Sequence, residues 1–155
     1  VLDALEVSRV RGARLEHAQI LSAQDVAKMR SLGVIAGIQS CHYLSDRSWA
    51  PERLGNRLAQ AYRWGSLAAA GVPLLMGTDF PIEPPCPARN FLACAVREEI
   101  SERLTVDQVI AAYGPPAWAS LGGRNTLVAC EGPFALASEA EGAYFVSAQE
   151  GAEWS

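Results

Sequence analysis

The stretch Val72-Pro73-Leu74-Leu75-Met76-Gly77-Thr78-Asp79-Phe80-Pro81-Ile82-Glu83-Pro84 decides how this chain is read. Ahead of it, Ala68-Ala69-Ala70-Gly71 has the composition of a helix end followed by a turn. Val72–Gly77 is then a short apolar strand, and the Gly-Thr-Asp that closes it runs into a loop punctuated by Pro81, Pro84, Pro85 and Pro87. The arrangement holds the Asp79 carboxylate at the carboxyl end of a strand, the mouth of a β/α unit, where the chemistry of such units is concentrated. Upstream, Arg14-Leu15-Glu16-His17-Ala18-Gln19 puts a histidine at the end of another short strand.

Working outward, strand and helix alternate. Ala13–Ala18 predicts a strand, and Ser22 with Asp25 predicts the N-cap of a helix that runs to Leu32 and stops at Gly33. Val34–Gln39 is nearly continuous in apolar residues, the pattern of a parallel strand buried on both faces. A loop over Ser40–Gly55 follows, carrying His42, Asp46, Trp49 and Pro51, then a helix over Arg57–Ala70 leads to the strand at Val72–Gly77. Beyond the proline-rich loop, Ala88–Ile100 predicts a helix, and Thr105-x-x-Gln108 is a capping box opening another that continues through Tyr113. Val1–Glu6 has the character of the middle or end of a helix, and the expectation is that the chain is cut from a longer protein.

Strands alternating with helices predict an α/β fold with a parallel sheet covered by helices. Open doubly wound sheets and closed barrels both satisfy that pattern. No Gly-x-Gly-x-x-Gly or Walker-type loop is present, which disfavours a nucleotide-binding sheet. Long loops after each strand, each with a polar or ionisable residue, favour the barrel. A closed eight-stranded barrel takes about 250 residues, so the expectation is a partial TIM (β/α)8-type barrel, about its last three β/α units, with a poorly defined C-terminal tail.

Composition bounds the function. Of 155 residues, 50% are hydrophobic and 19% charged, which favours a globular chain over a disordered one. Net charge is −4 with Lys and Arg scattered, so no nucleic-acid or membrane surface is expected. The apolar run around Ser66–Met76 is broken by Gly71 and Pro73 and is too short to cross a bilayer. No signal peptide pattern is visible, and Cys41, Cys86, Cys94 and Cys130 have no metal-finger or redox spacing, so a reduced, cytoplasmic setting is expected. Cys94 reads as a core residue. Cys41 beside His42 invites a thiol-nucleophile reading, but adjacent strand positions face opposite ways and no Asn or Asp partner is evident.

At this point the residues carry a resemblance. Arg14–Gln19, Gly33–Asp46 and Gly77-Thr78-Asp79-Phe80-Pro81-Ile82-Glu83-Pro84 resemble the last three barrel strands of metal-dependent amidohydrolases, most closely the third amidohydrolase family. The similarity runs from about residue 12 to residue 118 and includes Arg103-Leu104-Thr105 and Ala112-Tyr113. It implies that His17 is a metal ligand, that Asp79 touches the metal and acts as general base, and that His42 lies near substrate. The implied cofactor is a divalent metal, zinc by preference, and the implied substrate a small molecule with an amide or cyclic amide bond. In such chemistry the metal activates water for attack at neutral pH, while an aspartate takes the water's proton and passes it to the leaving nitrogen.

Structural readings stand beside these. A lone strand histidine is commonly a hydrogen-bonded core residue, and an aspartate after Gly-Thr is commonly a turn or cap residue. Glu16 and Glu83 either orient the site loops or pair with Arg14 and Arg89; Trp49, Trp64 and Trp118 read as packing residues. Members of the family also carry a His-x-His pair and a further histidine from earlier strands, whereas His17 and His42 are the two histidines here. A catalytic zinc site uses about three protein ligands, so the chain by itself is expected to be inactive and to depend on a missing N-terminal part of the barrel. Residues 1–118 are read as the barrel portion and 119–155 as a divergent tail, an eroded small β-domain or the product of a reading-frame change. The alternative function is a non-catalytic remnant or scaffold that keeps the β/α packing without a metal.

Overall fold

The computed structural model describes residues 1–113. The readings made for the tail at 119–155, for Trp118 and for Cys130 lie outside the described residues. The order of elements is α1 (Leu2–Ser8), β1 (Arg14–Leu15), α2 (Ala23–Leu32), β2 (Ile35–Ile38), α3 (His42–Asp46), α4 (Ala50–Leu54), a 3-10 segment (Gly55–Gln60), α5 (Trp64–Ala69), β3 (Leu74–Met76), α6 (Pro87–Val96), a 3-10 turn (Ile100–Glu102) and α7 (Val106–Tyr113).

The three strands form one parallel sheet in the order β1-β2-β3. Arg14 lies opposite Ile35, Ala36 opposite Leu74 and Ile38 opposite Met76. This register brings the carboxyl ends of all three strands to one edge, so the loops carrying His17, His42 and Asp79 share a rim. Helix α2 connects β1 to β2, and its boundaries follow from local chemistry. The Asp25 N–H donates to Ser22 Oγ at 3.1 Å while the Ser22 N–H donates to Asp25 Oδ2 at 2.8 Å. At the far end Gly33 takes a left-handed φ of 65° and returns its N–H to the Arg30 carbonyl. The expected box before α7 is also present: the Thr105 N–H donates to Gln108 Oε1 at 2.8 Å, and the Gln108 N–H to Thr105 Oγ1 at 3.2 Å.

The core lies between sheet and helices. Met29 of α2, Ala36 and Ile38 of β2 and Leu67 of α5 are all fully buried, and Val34, Trp64 and Cys94 nearly so. Each large apolar side chain removed from water in this way stabilises by about 1.5–3 kcal/mol. Tyr43, Tyr62 and Trp64 pack edge to face, with ring centroids 5.5–6.0 Å apart.

Three expectations need correction. The segment Ser40–Gly55 is not a plain loop but holds α3 and α4, the latter opened by Pro51 in its first turn, where a missing N–H costs nothing. The helix expected over Arg57–Ala70 is interrupted before Trp64. There the backbone is diverted into pairing with the loop after β1: the Leu21 N–H donates to the Gln60 carbonyl and the Tyr62 N–H to the Gln19 carbonyl. Tyr62, at φ 55°, thereby enters the aromatic cluster. The helix expected over Ala88–Ile100 ends at Val96, because Arg97 turns extended and the Glu98 N–H donates to the Tyr43 hydroxyl at 3.2 Å. The strands are also shorter than expected at both ends.

Below the rim, α5 is bolted to the turn before α7. A Cβ on Gly65 would sit 2.1 Å from the Ser101 carbonyl oxygen, so only glycine permits this approach. The buried Glu102 carboxylate then accepts from the Ser66 N–H at 2.8 Å and the Ser66 hydroxyl at 2.5 Å.

Candidate metal centre

Each strand delivers one ionisable side chain to the rim. After β1 the chain folds back at once, the Ala18 N–H donating to the Glu16 carbonyl at 2.9 Å, with His17 at φ 69° and Ala18 at φ 44°. After β2, Gln39, Ser40 and Cys41 lead into α3, whose first residue is His42. After β3, the Gly77 N–H donates across to the Ile38 carbonyl at 3.0 Å, and Asp79 follows at φ 60° in a turn closed by the Ile82 N–H on its carbonyl at 2.8 Å. His17 and Asp79 both occupy the left-handed region, which non-glycine residues adopt at a cost of about 1–2 kcal/mol.

The three side chains converge. Asp79 Oδ2 is 3.9 Å from His17 Nε2 and 3.8 Å from His42 Nε2, and the two rings are 5.8 Å apart between centroids. One donor atom from each lies within 4.8 Å of the others. Two imidazole nitrogens and a carboxylate oxygen are zinc-type donors, and donors on one tetrahedral ion at about 2.1 Å stand about 3.4 Å apart. Small side-chain rotations close the observed separations to that value, so the residues present fit a divalent metal.

His42 supplies a second sign of a missing partner. It is buried, and its Nε2 has no hydrogen-bond partner, although leaving a buried polar atom unpaired costs free energy. Its other nitrogen, Nδ1, is 3.2 Å from Gln19 Nε2. With the amide nitrogen donating to Nδ1, the proton resides on Nε2 and points at Asp79; with the amide turned over, Nε2 presents its lone pair instead. Gln19 is fixed in turn by the Tyr62 N–H on its carbonyl at 2.7 Å.

The surrounding charges support the loops. Buried Glu83 accepts from the Ser45 hydroxyl and from Arg89 Nη2, the latter at 3.3 Å, tying the Asp79 loop to α3 and α6. Glu16 pairs with Arg14. Cys41 is fully buried, and burial, followed by the nearby Glu83 charge, pushes its thiol up to about 11. That removes the thiol-nucleophile reading, because the reactive form is scarce at neutral pH. Trp64 is a core residue, whereas Trp49 is partly exposed with the Arg53 guanidinium 5.2 Å from its ring centroid.

Two supporting residues escaped the sequence reading. Gln19 lies in the same strand-end motif as His17, yet its contact to His42 depends on the fold. Asn90 is a polar residue at the head of the apolar run Phe91–Val96, and that mismatch is the one sign of its role visible in the sequence.

Comparison with known proteins gives the family. The sequence profile of the amidohydrolase family matches residues 3–126, and the chain belongs to that family, in its third branch. It is similar to the YtcJ protein of Bacillus subtilis (strain 168), named as an amidohydrolase, with 30% identity over 107 residues, 66% of this chain and 20% of YtcJ. It is also similar to the protein LONG AFTER FAR-RED 3 of Arabidopsis thaliana, with 32% identity over 76 residues, 48% of this chain and 13% of that one. Among solved structures it resembles uncharacterized metal-dependent hydrolases from Pyrococcus furiosus (TM-score 0.69, 28% identity) and Pyrococcus horikoshii OT3 (TM-score 0.67, 26% identity). Those matches cover 77% of this chain and about a quarter of each hydrolase (25% and 26%). The chain thus spans about a fifth of YtcJ, the 20% given above. No helix among the described residues is long and apolar enough to cross a membrane.

Proposed function

We propose that this chain is the C-terminal sector of a metal-dependent hydrolase acting on amide or cyclic amide carbon–nitrogen bonds of small molecules. The observation that carries the reading is the convergence of His17, His42 and Asp79 from three separate strand ends onto one point. In this reading β1, β2 and β3 are three neighbouring strands of a (β/α)8-type barrel whose remaining strands come from the rest of the parent protein. The small share of each relative that the chain covers supports it.

His17 and Asp79 would hold the metal, zinc by donor type, and His42 would meet the substrate. The metal, when bound, supplies activation of water and polarisation of the scissile carbonyl. The residues of the chain do the rest. Asp79 Oδ2 accepts the proton of the attacking water and returns it to the leaving nitrogen, because it is the carboxylate facing both imidazoles. His42 Nε2–H, kept in that tautomer by the Gln19 amide, donates to the substrate's carbonyl oxygen as charge develops there. The left-handed backbone at His17 and Asp79 fixes their side chains toward the site in advance.

The test is made on the full-length parent protein: metal content, and hydrolysis of N-acyl amino acids and cyclic imides, for wild type and Asp79→Asn. Stoichiometric zinc with activity abolished by Asp79→Asn supports the reading. A full-length protein that binds no divalent metal overturns it in favour of a non-catalytic scaffold. His42→Gln distinguishes the histidine's roles: retained zinc with lost turnover assigns it to substrate, and lost zinc makes it a third metal donor.

A further inference from the structure

We infer that Asn90 is a positioning residue that clamps the His42 loop to the Asp79 loop and so sets the geometry of the metal centre. Its side chain is fully buried at the start of α6, directly beneath the rim. Every hydrogen-bonding position of the amide is filled. Oδ1 accepts from the Ser40 hydroxyl at 2.9 Å and from the Cys41 N–H at 2.6 Å. Nδ2 donates to the Gly77 carbonyl at 2.9 Å and to the Tyr113 hydroxyl at 2.5 Å.

The identity of these partners makes the clamp functional. Ser40 and Cys41 immediately precede His42, and Gly77 lies two residues before Asp79. One planar amide therefore fixes the exits of β2 and β3 relative to each other, with acceptor turned to one loop and donor to the other. A buried amide needs all these partners, since a buried polar atom left unpaired loses its water contacts without compensation. Leucine of similar size would fill the space but leave the Cys41 N–H and the Gly77 carbonyl without their partner. Gly77 also donates to the Ile38 carbonyl, so the clamp extends a contact the sheet has already begun. Tyr113 closes the network from α7 and stacks on Phe91 at 6.5 Å between centroids.

The inference rests on the proposed metal reading for one readout and is independent of it for the other. In the full-length protein, zinc affinity is measured for wild type, Asn90→Ala, Ser40→Ala and the remote core variant Met29→Ala. In the metal-free full-length protein, amide exchange at Cys41 is compared with that at Ala36, whose N–H donates to the Pro73 carbonyl within the sheet. Asn90→Ala is expected to weaken zinc by about tenfold or more, as loss of a supporting shell commonly does, and to raise Cys41 exchange relative to Ala36. Ser40→Ala should move both readouts the same way by a smaller factor, and it carries the test if Asn90→Ala does not fold. Met29→Ala should lower Tm while leaving zinc affinity and the exchange ratio unchanged. Asn90→Ala or Ser40→Ala that loses Tm with both readouts unchanged overturns the clamp. A wild type that binds no zinc overturns the metal reading instead, and the exchange ratio still decides the role of Asn90.

Discussion

Two of the turns that lead into strands and two of those that leave them use the same backbone conformation with opposite residues. Gly33 (φ 65°) and Gly71 (φ 72°) turn the chain into β2 and β3, and glycine takes that conformation without steric cost. His17 (φ 69°) and Asp79 (φ 60°) turn it out of β1 and β3, and each carries a Cβ that the conformation opposes. At the entry end the turn is all that is needed. At the exit end a side chain is carried as well, and on the proposed reading the strain at His17 and Asp79 is kept because each places a donor in the site.

The largest effects expected are at the exit turns. On the proposed reading, His17→Gly and Asp79→Gly should each weaken zinc binding by about a hundredfold or more, since each would remove one donor from a set of about three. Their stability should be unchanged or improved by up to about 1 kcal/mol, because relief of left-handed strain outweighs the added freedom of the unfolded chain. Calorimetric zinc titration and thermal melts check both; a clear loss of Tm would break the contrast.

At the exit end Cys41 is set apart as a thiol held out of nucleophilic use. With its thiol pushed up to about 11 by burial, about one molecule in a thousand carries the thiolate at pH 8. Alkylation of Cys41 in the folded chain should therefore be slower by about two orders of magnitude than in the denatured chain, and should accelerate only as pH approaches the raised value. Equal rates at pH 8 would contradict the buried setting.

The entry turns should behave in the opposite sense. Gly33→Ala and Gly71→Ala are each expected to cost about 1–2 kcal/mol, with zinc affinity within about twofold of wild type. For Gly33 the loss is purely conformational, since an added Cβ would meet nothing within 4 Å. The smallest effect concerns the opposite end of α2. Ser22→Ala should cost about 1 kcal/mol through the lost cap. The Ser22 hydroxyl, and then its N–H, hold the Asp25 carboxyl below its usual value. A depressed folded value stabilises above the unfolded one, near 3.8, and that contribution is lost as pH falls through the folded value. The difference in Tm between wild type and Ser22→Ala should therefore shrink as pH drops below about 4.

What was legible in the sequence was local. Ser22, Asp25 and Gly33 specify α2 within a few residues of its ends, and Thr105 with Gln108 specify the start of α7. Asp79 was legible as a strand-end residue because the apolar run Val72–Met76 precedes it, and His17 through the motif Arg14–Gln19. The strained turns they occupy were not, since the rest of the fold imposes that conformation. The break before Trp64 was equally hidden: Arg57–Ala70 has helical composition, but Tyr62 is drawn into the aromatic cluster and pairs its N–H with Gln19. Asn90 was missed, its polarity beside an apolar run being its one sign, and only the fold shows that Ser40, Cys41, Gly77 and Tyr113 surround it.

Whether His17 and Asp79 hold a metal is decided by the zinc content of the purified full-length protein, wild type beside His17→Ala and Asp79→Ala, after dialysis against metal-free buffer. Bound zinc is expected in the wild type, and its loss from both variants while each remains folded. Zinc absent from the wild type, or retained undiminished in both variants, would contradict it.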